Sequence, residues 1–147
     1  MRELDQLLLD FKNNKNFNDH DYYVSKSNFL AFGIIEKWPK WEKRIVNISG
    51  EKFSGKSHLA NIFRSKSKAL LMSQKQIGDE IYKKIKLYDS LIIDDFEDIV
   101  DEKLIYSIFN LVDQDNKFLL INSLRPINEI KFKLPDVQSR SKNCLFA

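Results

Sequence analysis

An α/β fold, a parallel sheet covered by helices on both faces, is what three features of this sequence predict. Short runs of continuous apolar residues alternate with segments whose apolar residues recur every three or four positions. That alternation marks buried strands joined by amphipathic helices. One junction between such segments, Gly50-Glu51-Lys52-Phe53-Ser54-Gly55-Lys56-Ser57, reads G-x-x-x-x-G-K-S, the pattern of a phosphate-binding P-loop. A second apolar run, Leu91-Ile92-Ile93, ends in the carboxylate pair Asp94-Asp95. Parallel sheets place their ligand sites at the carboxyl ends of strands, so that pair is expected at a site.

Bulk composition sets the outer bounds. A chain of 147 residues suffices for one domain with a proper core. Its apolar fraction of 43% and charged fraction of 31% are those of a soluble globular protein rather than a disordered one. No uninterrupted apolar run is long enough to span a bilayer. The three-leucine run near the N-terminus is flanked by Glu3, Asp5 and Asp10, which is not the charge pattern of a signal peptide. A cytoplasmic location and no membrane partner are therefore expected. Cys144 is the single cysteine of this chain, so no intrachain disulfide or cysteine-based metal cluster can form within it. A net charge of +3 with scattered basic residues does not by itself argue for nucleic acid. No helix-turn-helix segment follows the core, and sequence-specific duplex recognition is not expected.

Taken in order, residues 1–20 form a leader, Gln6-Leu7-Leu8-Leu9-Asp10-Phe11 followed by a polar stretch whose one apolar residue is Phe17. That stretch reads as a linker, and residues 21–147 form the core domain. After Asp21-Tyr22-Tyr23-Val24, Ser25 or Ser27 can cap a helix carrying Leu30, Ala31, Ile34, Ile35 and Trp38 on one face, and Pro39 ends it. Ile45-Val46-Asn47-Ile48-Ser49 is a strand leading into the P-loop, and Leu59, Ile62 and Phe63 lie at helical spacing after it. Ala69–Met72 predicts a second strand, with Ser73 capping a helix that carries Ile77, Ile81 and Ile85. Leu91–Asp95 is a third strand. A helix follows from about Asp101 with Leu104, Ile105, Ile108, Phe109 and Val112 inward, and Phe118–Ser123 is a fourth strand. The tail, through Arg125-Pro126 and Leu134–Arg140, reads as short turns or one short helix.

The chemistry concentrates at two strand ends. A strand, a glycine-bounded loop and a helix N-terminus together bind anions, because backbone N–H groups converge on the phosphates and the helix dipole favours negative charge. Lys56 would reach the β- and γ-phosphates, and the Ser57 hydroxyl would ligate magnesium. With the third strand beside the P-loop strand, Asp94 would hold the magnesium directly or through water, and Asp95 would polarise the attacking water. The alternative for both carboxylates is to cap the loop that follows.

These residues together resemble the AAA+ core of the bacterial replication initiator DnaA, and more closely its small Hda-like relatives, which lack a DNA-binding domain. The resemblance runs over essentially the whole chain. Gly50–Ser57 with His58-Leu59, Asp94-Asp95 after three apolar residues, and Ser123 with Arg125-Pro126 carry it. Tyr23-Val24-Ser25-Lys26-Ser27-Asn28 is similar to the family's adenine-side entry segment, so Tyr23 and Val24 join Gly50–His58 as implied nucleotide contacts. Trp38-Pro39-Lys40-Trp41 resembles the Trp-Pro-x-Trp that precedes the P-loop strand in many Hda-like proteins. Leu134–Arg140 resembles the arginine-finger segment, which implies Arg140 as a finger acting in trans. Gln6, Leu7, Leu9 and Phe11 are similar to the sliding-clamp-binding peptide. The family's fold is a three-layer P-loop sheet of AAA+ type.

The chain departs from the family pattern in two places. Ala147 comes before the position where a helical lid with its sensor 2 arginine would follow, so the core is expected without a lid. DnaA carries an Asp before the Arg-Pro, whereas this chain has Leu124, which leaves Asn122 and Ser123 as the polar groups for the sensor 1 role.

What the resemblance implies is a regulator of chromosomal replication initiation. It would bind ADP or ATP with Mg2+, attach to the DNA sliding clamp, and promote hydrolysis of the ATP held by DnaA. Self-association is left open, and intrinsic hydrolysis is expected to be weak or absent. The competing readings are a self-sufficient P-loop ATPase or helicase loader, and a non-hydrolysing adaptor that keeps the clamp peptide. A small-molecule kinase is disfavoured, since nothing after Ser123 resembles an arginine-rich lid.

Overall fold

Five strands lie parallel in one sheet in the order β2-β3-β4-β1-β5. The structure, a computed structural model, describes residues 26–50, 55–73, 79–96 and 101–147. In chain order the elements are α1 (Lys26–Lys37), β1 (Ile45–Ser49), α2 (Lys56–Ser67), β2 (Leu70–Ser73), α3 (Asp79–Ile85), β3 (Ser90–Phe96), α4 (Glu102–Gln114), β4 (Phe118–Ser123), a 3-10 turn (Ile127–Glu129), α5 (Pro135–Lys142) and β5 (Leu145–Phe146). The expected α/β architecture, a parallel sheet with helices on both faces, is borne out.

Alternate residues of each strand feed opposite cores, as a period of two requires. Val46, Ile48, Ile92 and Leu120 pack with Leu59, Ala60 and Phe63 of α2 and Ile35 of α1. Ile45, Leu91, Ile93, Leu119 and Ile121 face the other way, against Ile105, Ile108 and Phe109 of α4 and Val137 of α5. β3 and β4 are buried on both faces, which explains why their apolar runs are continuous. Trp38 and Trp41 close the first core: Trp41 stacks on Phe63 at 5.1 Å, Trp38 meets Phe63 edge-on at 5.8 Å, and Trp41 Nε1 donates to the Ile34 carbonyl at 2.8 Å. The Trp38–Pro39 peptide is cis.

Three local expectations change. The strand carrying Asp94 is not beside the P-loop strand, because β4 lies between them, pairing with β1 through Ile48↔Asn122 and with β3 through Ile93↔Ile121. Sequence spacing carries no information on strand order, and the crossover after α2 carries the chain past two vacant positions that β3 and β4 later fill. Leu30 is 49% exposed; Phe29 and Phe32 take the core positions on α1, so the buried stripe is rotated from the expected one. Ser73 ends β2 and α3 covers Asp79–Ile85; the residues between them, Ile77 included, lie outside the described residues. A fifth strand forms where none was expected, with Leu145 and Phe146 beside Val46 and Asn47. By contrast, Asp101 caps α4 as its position predicts, accepting from the Lys103 and Leu104 amides at 3.1 and 3.4 Å.

Among the described residues no helix is long and apolar enough to cross a membrane, and no helical lid packs against the carboxyl ends of the strands.

Candidate nucleotide site

α2 begins where a P-loop helix must. Gly55 stands at its N-cap with φ 94° and ψ 5°, a left-handed conformation that strains a residue with a Cβ. The second motif glycine is therefore required by backbone geometry. Lys56 and Ser57 open the helix, with Lys56 half-buried and Ser57 exposed. Lys56 Nζ donates to the Gly50 carbonyl at the other side of the loop. No acidic residue stands in the first turn of α2, so nothing there opposes an anion at its amides. His58 follows in the same turn, half-buried. Glu51, Lys52, Phe53 and Ser54 lie outside the described residues, as do Tyr23 and Val24 and the peptide positions Gln6, Leu7, Leu9 and Phe11.

Asp94 and Asn122 meet on the α2 side of the sheet. Asn122 is fully buried, and its Nδ2 donates to the Lys56 carbonyl at 3.1 Å and to Asp94 Oδ1 at 3.4 Å. The Asp95 amide also donates to Asp94 Oδ1, at 3.1 Å. Both bonds fall on one carboxylate oxygen, so the other is the one a cation or its water would use. The Asn122 Oδ1 is buried without a partner among the described residues, an acceptor that a bound water would satisfy. Asp95 itself is exposed, with φ 55°, at a register shift between Ile93 and Phe96. The irregularity turns the two neighbouring carboxylates apart, Asp94 toward α2 and Asp95 to solvent.

The residues present fit magnesium of the kind that phosphates help to hold. No cluster of three or more His, Cys, Asp or Glu that could hold a metal exists among the described residues. Mg2+ commonly takes one or two protein oxygens and completes its shell with phosphate and water. Asp94 and Ser57 would supply a carboxylate and a hydroxyl of that type.

Arg140 lies elsewhere. It sits in the last turn of α5, donates from Nη1 to Asp113 Oδ2 at 2.9 Å, and stands over the Tyr106 ring at 5.6 Å. Asp113 is at the C-terminal end of α4, and α4 runs from the carboxyl end of β3 back to the start of β4. Arg140 is therefore at the opposite end of the sheet from the P-loop of its own chain.

One buried polar residue near the site escaped the sequence reading. Asn47, in the middle of β1, is fully buried and bonded to Ile121, Ser123 and Ile127. A carboxamide inside an otherwise apolar strand run was the available signal, since a buried amide must find partners. Cys144 is also buried; burial pushes its thiol up to about 12, with Lys43 pulling slightly the other way, so it is protonated and unreactive at neutral pH.

No family model matches the chain, and no curated protein matches it in sequence. Its fold does match solved structures. AMPPCP-bound DnaA from Aquifex aeolicus aligns with a TM-score of 0.71 at 17% identity, over 86% of this chain and 47% of that one. Domain III of the Thermotoga maritima replication initiation protein DnaA aligns at 0.65 and 17%, over 86% and 63%. DnaI aligns at 0.62 and 14%, over 85% of this chain and 82% of that one. The likeness is one of fold, a parallel sheet flanked by helices, and the chain spans about half the length of the DnaA structures that match over 47% and 50% of theirs.

Proposed function

We propose that this chain is a nucleotide-binding AAA+ core that regulates replication initiation in the manner of Hda-like proteins. It binds ADP or ATP with Mg2+, holds the sliding clamp through Gln6–Phe11, and stimulates hydrolysis of ATP on DnaA. The observation that carries the nucleotide part is the convergence of three groups at one end of the sheet: the left-handed Gly55 opening α2, Lys56 beside Gly50, and Asp94 held by Asn122. Residues 1–20 serve as a clamp-binding leader and 21–147 as the nucleotide-binding core. Within that core Lys56 and the α2 amides bind phosphate, Ser57 and Asp94 hold Mg2+, and Asn122 positions Asp94. Tyr23, Val24 and His58 line the nucleotide.

Chemically, such a site works by placement and charge. Phosphoryl transfer needs an in-line water and neutralisation of charge on the transferring group. Lys56 and the loop amides supply ground-state binding. Among the described residues, Asp95, exposed and turned from Asp94, is the remaining carboxylate near the site able to orient water. Arg140 acts on a neighbour's phosphates once it leaves Asp113.

A second reading is a helicase loader, favoured by the DnaI fold match, which alone among the three matches described covers more than four-fifths of both chains. Two assays separate the readings and test the base they share. Thermal melting with ADP and ATP should show a ligand shift for the wild type and none for Lys56→Ala, since a ligand bound only to the folded state stabilises it by mass action; equal shifts in both would remove the nucleotide assignment. Turnover of DnaA-bound ATP, with and without clamp on DNA, should rise in the presence of this chain; no rise, with helicase capture instead, would favour the loader.

A further inference from the structure

We propose that Asn47 is a positioning residue of the P-loop site, coupling the entrance of the loop to the turn that follows β4. The proposal rests on the nucleotide reading above and assigns a role to a residue outside the P-loop motif. Asn47 Nδ2 donates to the Ile121 carbonyl and to Ser123 Oγ, both at 3.0 Å, and Asn47 Oδ1 accepts from the Ile127 amide at 2.9 Å. Ser123 Oγ passes its own proton to the Arg125 carbonyl at 2.6 Å. The Ser123 carbonyl in turn accepts from the Gly50 amide at 3.1 Å, and the Gly50 carbonyl accepts from Lys56 Nζ. One continuous set of bonds therefore runs from the P-loop lysine, through Gly50 and Ser123, to Asn47 and the turn at residues 124–127.

The chemistry argues against a passive role. An Ile or Val at this place would bury as well and would carry no desolvation cost, whereas a buried carboxamide is tolerated only when its donors and acceptor are met. Here all of them are met, by the single stretch from Ile121 to Ile127, which lies 74 to 80 positions from Asn47 in the chain. What the amide adds over a methyl group is register: it locks the exit of β1 to the exit of β4. Asn122, next to Ser123, is the residue that holds Asp94, and Arg125 is exposed on the pinned turn. Without Asn47, the Gly50–Ser123 backbone bond would remain, but the Ser123 side chain and the turn at 124–127 would lose their tie to β1, and the phosphate cradle would be held less tightly.

The test compares Asn47→Ala, Ser123→Ala and the double variant in the full chain. Three quantities are read: amide exchange without nucleotide, ADP affinity in Mg2+ under conditions where each protein is folded, and the urea midpoint. Asn47→Ala should speed exchange at Gly50 as well as at Ile127, relative to the core amide of Leu120, and should weaken ADP binding roughly tenfold. Ser123→Ala should reproduce the Gly50 and affinity effects, and the double variant should add little, as coupled neighbours do. A lowered urea midpoint with unchanged Gly50 exchange and unchanged affinity would overturn the proposal in favour of a purely structural amide. If the wild type binds no ADP, the nucleotide reading fails, while faster or unchanged exchange at Gly50 still supports or overturns the coupling. Should Asn47→Ala fail to fold, Ser123→Ala, which removes a single hydroxyl, decides on the same two readouts.

Discussion

Asn122 of β4 donates to the Asp94 carboxylate of β3 at 3.4 Å, while its same nitrogen holds the Lys56 carbonyl at 3.1 Å. The central strand thus joins the acid of one neighbour to the helix that follows the other. Asp94→Asn should abolish the Mg2+-dependent part of ATP affinity and leave the metal-free part in place, measured by titration with Mg2+ and with EDTA. Identical Mg2+ dependence in wild type and variant would rule Asp94 out as a metal ligand. Asn122→Ala should lower stability by about 1–3 kcal/mol, since it strips partners from buried polar groups, read from urea unfolding.

Hydrolysis by the isolated chain should be slow, below ~1 s⁻¹, a rate ordinary for enzymes. Leu124, at the start of the turn after β4, is 56% exposed and offers no hydrogen bond. Among the described residues the one arginine beside the carboxyl end of β4 is Arg125, and an arginine finger is worth ~10³–10⁵ in rate where one is supplied. Steady-state turnover above that limit without a partner would mean the site is complete by itself.

Arg140→Ala should scarcely change the stability of the chain. Its pair with Asp113 is 31% and 56% exposed, and such surface pairs contribute about 0–1 kcal/mol. The same change should lower the stimulated hydrolysis of DnaA-bound ATP by ~10³-fold or more if Arg140 is the finger. Full stimulation by the variant would assign Arg140 to the α4–α5 contact alone.

Cys144 sets an alkaline limit. Burial raises its thiol from 9.0 to about 12, so the folded chain keeps a proton that the unfolded chain gives up. This contribution to stability is complete below pH 9 and is lost as the pH rises toward 12. The fall in urea midpoint over that window should be shallower in Cys144→Ala than in the wild type. Parallel curves would show that the thiol does not titrate with folding.

Replacing Gln6 and Phe11 by Ala should abolish binding to the sliding clamp and leave nucleotide affinity and melting temperature unchanged. In an extended peptide, residues two apart project to the same side, so Leu9 and Phe11 would enter one apolar cleft while Gln6 fixes register. A double variant that still binds clamp, or that unfolds, would place the segment in the core instead.

Local signals were legible in the sequence because their causes are local. The strand Ile45–Ser49, the strand Phe118–Ser123, the start of α4 after Asp101 and the turn at Gly55 all follow from side-chain periodicity, capping or glycine chemistry within a few residues. Asp94 and Lys56 stood out as candidate site residues from their motifs alone. Strand order was not legible, nor was β5, whose two residues pair with β1 and pack one against each core. Asn47 stood out only as a carboxamide in an apolar run, and its partners were not legible: its bond to the Ile127 amide joins positions 80 apart in the chain. A pattern of neighbours can specify which residues are apolar and where the backbone must turn. Which strand lies between Lys56 and Asp94, and which amide ties their supports together, is decided only when distant segments compete for the same buried partners.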